Sequence, residues 1–527
     1  MIATAPTAQR VATRSGHIPV SAGRRDALVV GLLAVVLSVA WSWQPSIWFD
    51  EAATVTATMR SWPELGRMLA NVDAVHGLYY AGMHLWLDLV GYSPLALRLP
   101  SAVSVGLATA LTMLLVRSRA SRRTAVLAGI AFAILPRVTW MGAEGRSYAL
   151  TAALAVALTL VFLAAWRRGP APRRIRLLWW ALYAIAAIVS TVTFIYLAFL
   201  VAAHGLTALW TVWAGRRRDR AARSSLLGWA VAAAAAATLL MPFALSVVRQ
   251  SGQVSWIAPI SWGSWHGVFV TQWFYLNPLF ALAGWALIVA GVVALIRAAR
   301  RRRLTGSPVP RATARNPSLL AIALPWLMVP TLGVIAVSAI VSPLYSPRYL
   351  TFCAPAVAIL IGVGLDALRR RWLIAAATVL LVVTAVPQFV AQRQPEAKQN
   401  SSWSEVADLI AAERAAHPGE DAAIVYGPVR QHPAATTRVI AYSYPDAFAG
   451  LIDVKLKTPA AQTGELWETR YPLDEVTDRF DGVDTVWLVT SDKQDWRPSV
   501  TEKLGTLGYA LDQEWGLTGV NVLRYER

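Results

Sequence analysis

Two adjacent carboxylates, Asp50 and Glu51, follow directly on the first long apolar segment of the chain, in Ser46-Ile47-Trp48-Phe49-Asp50-Glu51. Acidic side chains at a membrane surface are costly to desolvate, and packing alone does not explain them. The chemistry they suit is removal of a proton from an attacking hydroxyl. Four arginines recur at the same predicted face: Arg98 in Arg98-Leu99-Pro100-Ser101, Arg137, Arg146 in Glu144-Gly145-Arg146-Ser147-Tyr148, and Arg348 in Ser346-Pro347-Arg348-Tyr349. Guanidinium groups bind phosphate oxygens in a bidentate fork. Carboxylates plus arginines at a membrane face therefore fit group transfer from a lipid phosphate. A carboxylate would take the acceptor's proton, and arginines would stabilise the leaving phosphate. The plainer alternatives are that one arginine snorkels and that another pairs with Asp50 or Glu51.

The elements that must position these residues are membrane spans. Of 527 residues, 56% are hydrophobic and only 15% charged, less charge than a soluble chain of this length carries. Eleven apolar segments of about bilayer-crossing length are predicted: 26–44, 95–116, 124–141, 147–166, 177–193, 195–213, 225–248, 275–296, 318–341, 349–367 and 372–390. The least clearly divided pair lies between Trp179 and Trp213. The net charge of +19 does not indicate nucleic acid, because the arginines cluster in alternate short loops. These clusters hold Arg10, Arg14, Arg24 and Arg25; Arg117, Arg119, Arg122 and Arg123; Arg167, Arg168, Arg173, Arg174 and Arg176; Arg216, Arg217, Arg218, Arg220 and Arg223; the run Arg297 to Arg303; and Arg369 to Arg371. The positive-inside rule makes that side cytoplasmic. A cytoplasmic N-terminal tail (1–25), an outward-facing Asp50-Glu51 loop and an outward-facing C-terminal segment follow. Anionic lipid at the basic side is an alternative use of the arginines. The N-terminal stretch shows no cleavage site after a short apolar core, so the first apolar segment reads as an uncleaved helix. The single cysteine, Cys353, lies in an apolar run and reads as a small core residue.

Residues 45–94 form one unusually long outward loop. It contains Glu64-Leu65-Gly66-Arg67-Met68-Leu69, His76-Gly77-Leu78-Tyr79-Tyr80 and Met83-His84-Leu85-Trp86. The pattern predicts an amphipathic helix in the interface, with Tyr79, Tyr80 and Trp86 in an aromatic belt or, alternatively, as a sugar platform. His76 and His84 lack a metal-ligand spacing; no cofactor is assigned, and a divalent metal is left open. Residues 393–527 alternate helix and strand: a helix from Ser401-Ser402-Trp403-Ser404 capped by Ser402 or Ser404, strands at 422–427, 485–490 and 519–525, and a helix over 500–507. This predicts a small soluble α/β domain acting as a lid or an acceptor platform.

The order Asp-Glu in the first outward loop, His-x-x-x-Tyr-Tyr, Arg-Leu-Pro-Ser, Glu-x-Arg-x-Tyr-Ala-Leu and a late Pro-Arg-Tyr-Leu resembles the GT-C superfamily of membrane glycosyltransferases. The resemblance is to the protein O-mannosyltransferase branch, GT39, and its bacterial relatives, including the aminoarabinose lipid A transferases. It implies a polytopic helical fold of about eleven spans over 26–392, a polyprenyl-phosphate-sugar donor and inverting transfer outside the cytoplasmic membrane. It further implies Asp50 as base, Glu51 orienting acceptor or base, Arg98 holding the acidic pair, and Arg146 and Arg348, with Arg137, near the donor phosphate. His76, Tyr79, Tyr80, Glu144 and Tyr349 would support the site or bind substrate. Two departures stand out: His76-Gly77-Leu78 replaces the family's His-Pro-Pro, and Thr193-Phe194-Ile195-Tyr196 lacks the family's histidine. The Ala-, Arg- and Val-rich, Lys-poor composition suggests an actinobacterium. By analogy the donor sugar is mannose and the acceptor a cell-envelope glycan or lipoglycan. Arabinose, another sugar and a protein acceptor remain alternatives. A transporter of lipid-linked glycans would need ionisable groups near mid-membrane and internal repeats; neither is evident in the sequence. A non-catalytic scaffold would tolerate loss of Asp50.

Overall fold

The structure, a computed structural model, describes residues 20–214, 219–305, 316–429 and 432–527. Most of the predicted N-terminal tail, with Arg10 and Arg14, and the loop residues Arg216, Arg217 and Arg218 lie outside the described residues.

Among the described residues nine helices are long and apolar enough to cross a bilayer: Pro94–Arg117, Tyr148–Arg167, Arg173–Thr193, Ile195–Ala214, Arg220–Arg249, Pro278–Arg301, Leu319–Ile340, Pro347–Ala367 and Arg371–Ala391. Each coincides with a predicted segment, and the chain is a multi-pass membrane protein. The remaining two segments differ. The first is a helix over Val20–Val39, set earlier than 26–44. The third is only Arg122–Ile134, followed by a separate short helix, Pro136–Met141. Pro136 causes this break, because proline disfavours helical geometry in the residue before it, and Leu135 is accordingly extended (φ −60°, ψ 124°). The break turns Arg137 into the protein. The poorly divided pair separates at Phe194, where the chain is extended before a single 3-10 turn, Ile195–Leu197.

Small residues let the helices approach closely, as apolar solvent around them requires. At Gly364 a Cβ would lie 2.1 Å from the Leu287 carbonyl oxygen, and at Gly291 one would lie 2.3 Å from that of Leu360. These two glycines seat Ala354–Ala367 directly on the backbone of Pro278–Leu304.

Residues 45–94 are ordered as three helices, Phe49–Thr58, Trp62–Asn71 and Gly77–Val90. The middle one begins with a capping box, Ser61 and Glu64 bonding reciprocally. Tyr79 and Tyr80 are 5% and 0% exposed. They are core residues rather than an aromatic belt, because the C-terminal domain lies over this segment and the two share one hydrophobic cluster containing Tyr79, Tyr80, Met83, Trp403, Tyr426 and Trp487.

The C-terminal domain holds a five-stranded sheet. Its order is Ile452–Asp453, Ala422–Tyr426, Thr485–Ser491, Val520–Glu526, Ala510–Leu517. The first three strands run parallel and the last two join antiparallel. The three predicted strands and the helix at Arg497–Thr506 are all present. Helix Trp403–Ala416 starts at Ser402, which does not cap it. Its hydroxyl donates instead to the Thr518 carbonyl (2.9 Å), and the free Ser404 amide is taken by Ser46 Oγ (2.9 Å). The cap positions serve domain docking.

Candidate active site

Asp50 and Glu51 open the helix Phe49–Thr58, where the dipole favours negative charge. Successive helical residues point about 100° apart, so the two carboxylates face different environments.

Glu51 points inward and is fully buried. Arg98 reaches it with both arms of its guanidinium, Nε to Oε1 (2.8 Å) and Nη2 to Oε2 (2.6 Å). Oε1 also accepts from Lys398 Nζ (2.9 Å) and the Gly145 amide (2.7 Å). Arg98, itself 0% exposed, donates further to the carbonyls of Ser42, Pro45 and Ser46. Lys398 also bonds Glu144 Oε2 (2.7 Å) and the Ala143 carbonyl (2.7 Å), and Glu144 Oε1 accepts from Trp48 Nε1 (2.6 Å). Burial works to raise the Glu51 pKa, but Arg98 and Lys398 overturn it and hold it down to about 2. For Glu144 burial prevails over Lys398 and pushes the carboxyl up to about 7. Lys398 was missed in the sequence. It stands past the last span in a polar stretch, and nothing local marks it.

Asp50 points the other way and keeps a fifth of its side chain exposed; Arg348 Nη1 pairs with its Oδ2 at 3.0 Å. The Arg348 guanidinium lies against the rings of Trp48 (5.4 Å), Trp256 (5.0 Å) and Tyr349 (5.7 Å), and its Nε has no hydrogen-bond partner among the described residues. Arg146 is buried beside them. Its Nη1 donates to the Asp50 carbonyl (3.1 Å), Thr54 Oγ1 (3.3 Å) and Tyr80 Oη (2.9 Å). The Tyr80 hydroxyl donates on to Asp73 Oδ2 (2.7 Å). Asp73 sits in the left-handed region (φ 58°) and faces the Gln253 amide, which, with its oxygen and nitrogen exchanged, donates to Oδ1 (2.6 Å) and accepts from the Asp73 amide (2.9 Å). Neighbouring Gln250 accepts from the Ala74 amide (2.9 Å). Gln250, Gln253 and Trp256, all on the connection after helix Arg220–Arg249, thus join the site. They too were missed, because no motif distinguishes them.

His76 lies at the edge of this group. Burial lowers its pKa well below the ordinary histidine value, and Arg146 and Arg348 lower it further, so the ring is neutral. Its Nδ1 is buried without a hydrogen-bond partner among the described residues. His84 is not beside it: His84 bonds the Arg60 carbonyl (2.8 Å) and Asp88 (2.9 Å) and stacks on Trp62. Among the described residues no three His, Cys, Asp or Glu side chains converge as metal ligands do.

The structure brings together Asp50, Arg146, Arg348, Tyr80, Tyr349 and His76. It places Arg98, Glu51 and Glu144 in the sealed layer behind them. Tyr79 is buried below. Arg137 is committed elsewhere: it donates to the carbonyls of Thr271 and Gln272 and lies between Trp140 (4.9 Å) and Tyr275 (4.8 Å). That arrangement fixes the left-handed turn at Tyr275 and Leu276 rather than offering a free phosphate fork.

One expectation needs correction. His204, midway along helix Ala198–Ala214, is an ionisable group well inside the spans. Its Nε2 meets Thr159 Oγ1 (3.1 Å), its Nδ1 meets Tyr183 Oη (3.0 Å), and its ring stacks on Phe162. Both ring nitrogens have hydroxyl partners. The group ties three helices together, its polar atoms engaged in packing between them.

No protein-family model matches the sequence, and no curated protein matches it significantly. Solved structures do match in fold. ArnT from Cupriavidus metallidurans in the apo state superposes with a TM-score of 0.56 at 14% identity, covering 95% of this chain and 98% of that one. ArnT bound to undecaprenyl phosphate gives 0.54 at 14% identity, over 96% and 98%. The present chain therefore shares the fold of ArnT over nearly the whole length of both proteins.

Two outcomes follow. Arg98→Leu removes the main partner of a fully buried carboxylate and should cost about 3–5 kcal/mol; an unchanged unfolding temperature in detergent would contradict the geometry. The second concerns pH. The Glu144 carboxyl keeps its proton up to about 7 when folded but loses it near 4.5 when unfolded. Its stabilising contribution is therefore present at pH 4.5 and declines as pH rises to about 7. Glu144→Gln should remove that decline, so the stability gap between wild type and variant should change across this window. A constant gap from pH 4.5 to 7.5 would show that Glu144 titrates normally.

Proposed function

We propose that the protein is a glycosyltransferase that moves a sugar from a polyprenyl phosphate to an acceptor hydroxyl with inversion at the anomeric carbon. The observation that carries this reading is the Asp50–Arg348 pair at 3.0 Å, about a fifth exposed, beside a Glu51 that is fully buried and bonded. In the proposed reaction Asp50 takes the proton of the acceptor hydroxyl. The acceptor oxygen bonds to the sugar's anomeric carbon as the bond from that carbon to the phosphate oxygen breaks. The departing phosphate keeps the electron pair and is stabilised by Arg348 and Arg146, whose buried setting strengthens each ionic contact. Glu51, with Arg98 and Lys398, holds the helix that presents Asp50. Arg137 supports the wall from behind.

The carrier in the reading is a lipid phosphate because the site carries two guanidinium groups within a multi-pass membrane protein, and because the similar ArnT structure holds undecaprenyl phosphate. Mannose is the first sugar to test and arabinose the second. The acceptor is an envelope glycan, lipoglycan or protein, and the site faces away from the cytoplasm at the cytoplasmic membrane, with the N-terminus inside and the C-terminal domain outside. GT39 membership and an actinobacterial source belong to the same proposal.

Arg348 cannot serve Asp50 and a phosphate equally well, so donor binding should release the base. Undecaprenyl phosphate should bind purified wild type, should bind Arg348→Ala at least about tenfold more weakly, and should bind Asp50→Asn more tightly than wild type. Weaker binding to Asp50→Asn would contradict the competition, and equal binding to Arg348→Ala would remove the phosphate role.

A further inference from the structure

The C-terminal domain carries a small group of cations that its own carboxylates leave alone. Its other buried or half-buried cations are mostly paired: Arg438 with Asp453 and Glu468, Arg497 with Asp495 and Glu514, Arg524 with Glu420 and Asp512, Lys503 with Asp474. Lys455, Lys457, Arg470 and Arg479 have no carboxylate within ion-pair distance among the described residues; the nearby Asp453 and Asp474 are taken by Arg438 and Lys503, and Glu475 and Asp478 reach none of the four.

Lys457 and Arg470 sit on one two-stranded ribbon, Leu456–Thr458 against Thr469–Arg470, with Lys455 just before it and Arg479 in the 3-10 turn Thr477–Phe480. The Tyr471 amide bonds the Lys455 carbonyl (2.9 Å), which sets Tyr471 opposite Lys455. The register shifts between Leu456 and Thr458, so Lys457 stands at an irregularity, and its contact with the Tyr471 ring, not strand alternation, places it beside that residue. Aromatic rings complete the group: Lys455 Nζ lies 4.3 Å from the ring centre of Trp496, and Tyr471 receives Lys457 (5.3 Å) and Arg479 (5.0 Å). Arg479 is fixed by donating to the carbonyls of Val454 (3.0 Å) and Leu456 (2.9 Å). Burial and the neighbouring Arg470 and Arg438 lower Lys455 to about 8, in keeping with a locally positive field.

The ribbon also points back to the site. Trp467, just before it, packs on Phe49 at 5.0 Å, and Phe49 precedes Asp50. Four residues of extended chain, Trp467 to Tyr471, span about 13 Å. Arg60 bonds the carbonyls of Glu465 (2.6 Å) and Leu466 (3.1 Å), and Asn71 bonds that of Gly464 (3.0 Å), so this approach is fixed against the 45–94 segment.

We propose that the Lys457–Tyr471–Arg479 face, with the buried Lys455 adding positive charge behind it, is a binding subsite for an anionic saccharide chain, the distal part of the acceptor whose hydroxyl is presented to Asp50. Cations of this kind take up carboxylate, phosphate or sulfate groups, and aromatic faces take up the apolar faces of sugar rings. The inference rests on the transferase reading for the acceptor's role, but the binding itself is tested separately.

The test uses the full-length protein in detergent, with dextran sulfate as the anionic probe and unsubstituted dextran as the neutral one. Wild type should bind dextran sulfate and discriminate against dextran. Lys457→Gln, which changes an exposed side chain, should weaken dextran sulfate binding, and Lys455→Gln/Lys457→Gln should weaken it by about tenfold or more. Arg527→Gln, an exposed cation elsewhere in the domain, should leave it unchanged. Undecaprenyl phosphate binding should be the same in all four proteins. Equal binding of the two dextrans by wild type, or equal weakening by Arg527→Gln and Lys457→Gln, would overturn the subsite. Loss of undecaprenyl phosphate binding in wild type would sink the transferase reading while leaving the glycan result to be judged on its own.

Discussion

The buried pair of Arg98 and Glu51 is the constraint on which the rest of the site depends. An ionised carboxylate taken wholly out of water carries a desolvation cost of several kcal/mol in practice, and only close, well-oriented partners offset it. Glu51 has four such contacts from three partners. Those partners come from helix Pro94–Arg117, from the Ala143–Ser147 connection and from the start of the C-terminal domain. Satisfying one carboxylate therefore fixes the relative positions of four parts of the chain. Once Glu51 is sealed, its neighbour on the helix is turned outward, where Arg348 and Arg146 surround it.

The C-terminal domain is part of this construction rather than an appendage to it. Besides Lys398, the domain and its lead-in supply the Pro395 carbonyl to the Ser46 amide (2.8 Å), Ser401 Oγ to the Ile47 carbonyl (2.8 Å) and Tyr444 Oη to the Ile47 amide (2.9 Å). These contacts grip Ser46 and Ile47, two residues of the short stretch that leads into Asp50. A lid or platform that merely covered the site would not need to hold the backbone that leads into Asp50. The geometry joins the C-terminal domain and the start of helix Phe49–Thr58 into one unit.

Much of the fold was legible because its signals are local. Apolar length marks a span, and the central strands of the C-terminal domain are short apolar runs between polar stretches. Arg146 and Arg348 were legible for the opposite reason, being charges where orientation gave no use for them. What could not be read was long-range. Adjacent Asp50 and Glu51 look alike in sequence, and only the packing of helix Phe49–Thr58 separates an open carboxylate from a sealed one. Lys398, Gln253 and Trp256 reach the site from far along the chain, and no spacing announces them. Arg137 was assigned to phosphate on its face of the membrane alone, and the Pro136 break redirects it to backbone carbonyls. His204 was overlooked because a lone histidine in an apolar run gives no hint of hydroxyl partners on two other helices.

One comparison separates the roles of the two carboxylates. Sugar transfer from a polyprenyl-phosphate sugar, mannose first, would be measured with wild type, Asp50→Asn and Glu51→Gln, with the folded fraction of each determined in the same samples. Loss of a general base should lower transfer by about 10²–10⁴-fold in a fully folded Asp50→Asn protein, whereas Glu51→Gln should lose folded protein first. Transfer retained by Asp50→Asn, or a fully folded but inactive Glu51→Gln, would contradict the account.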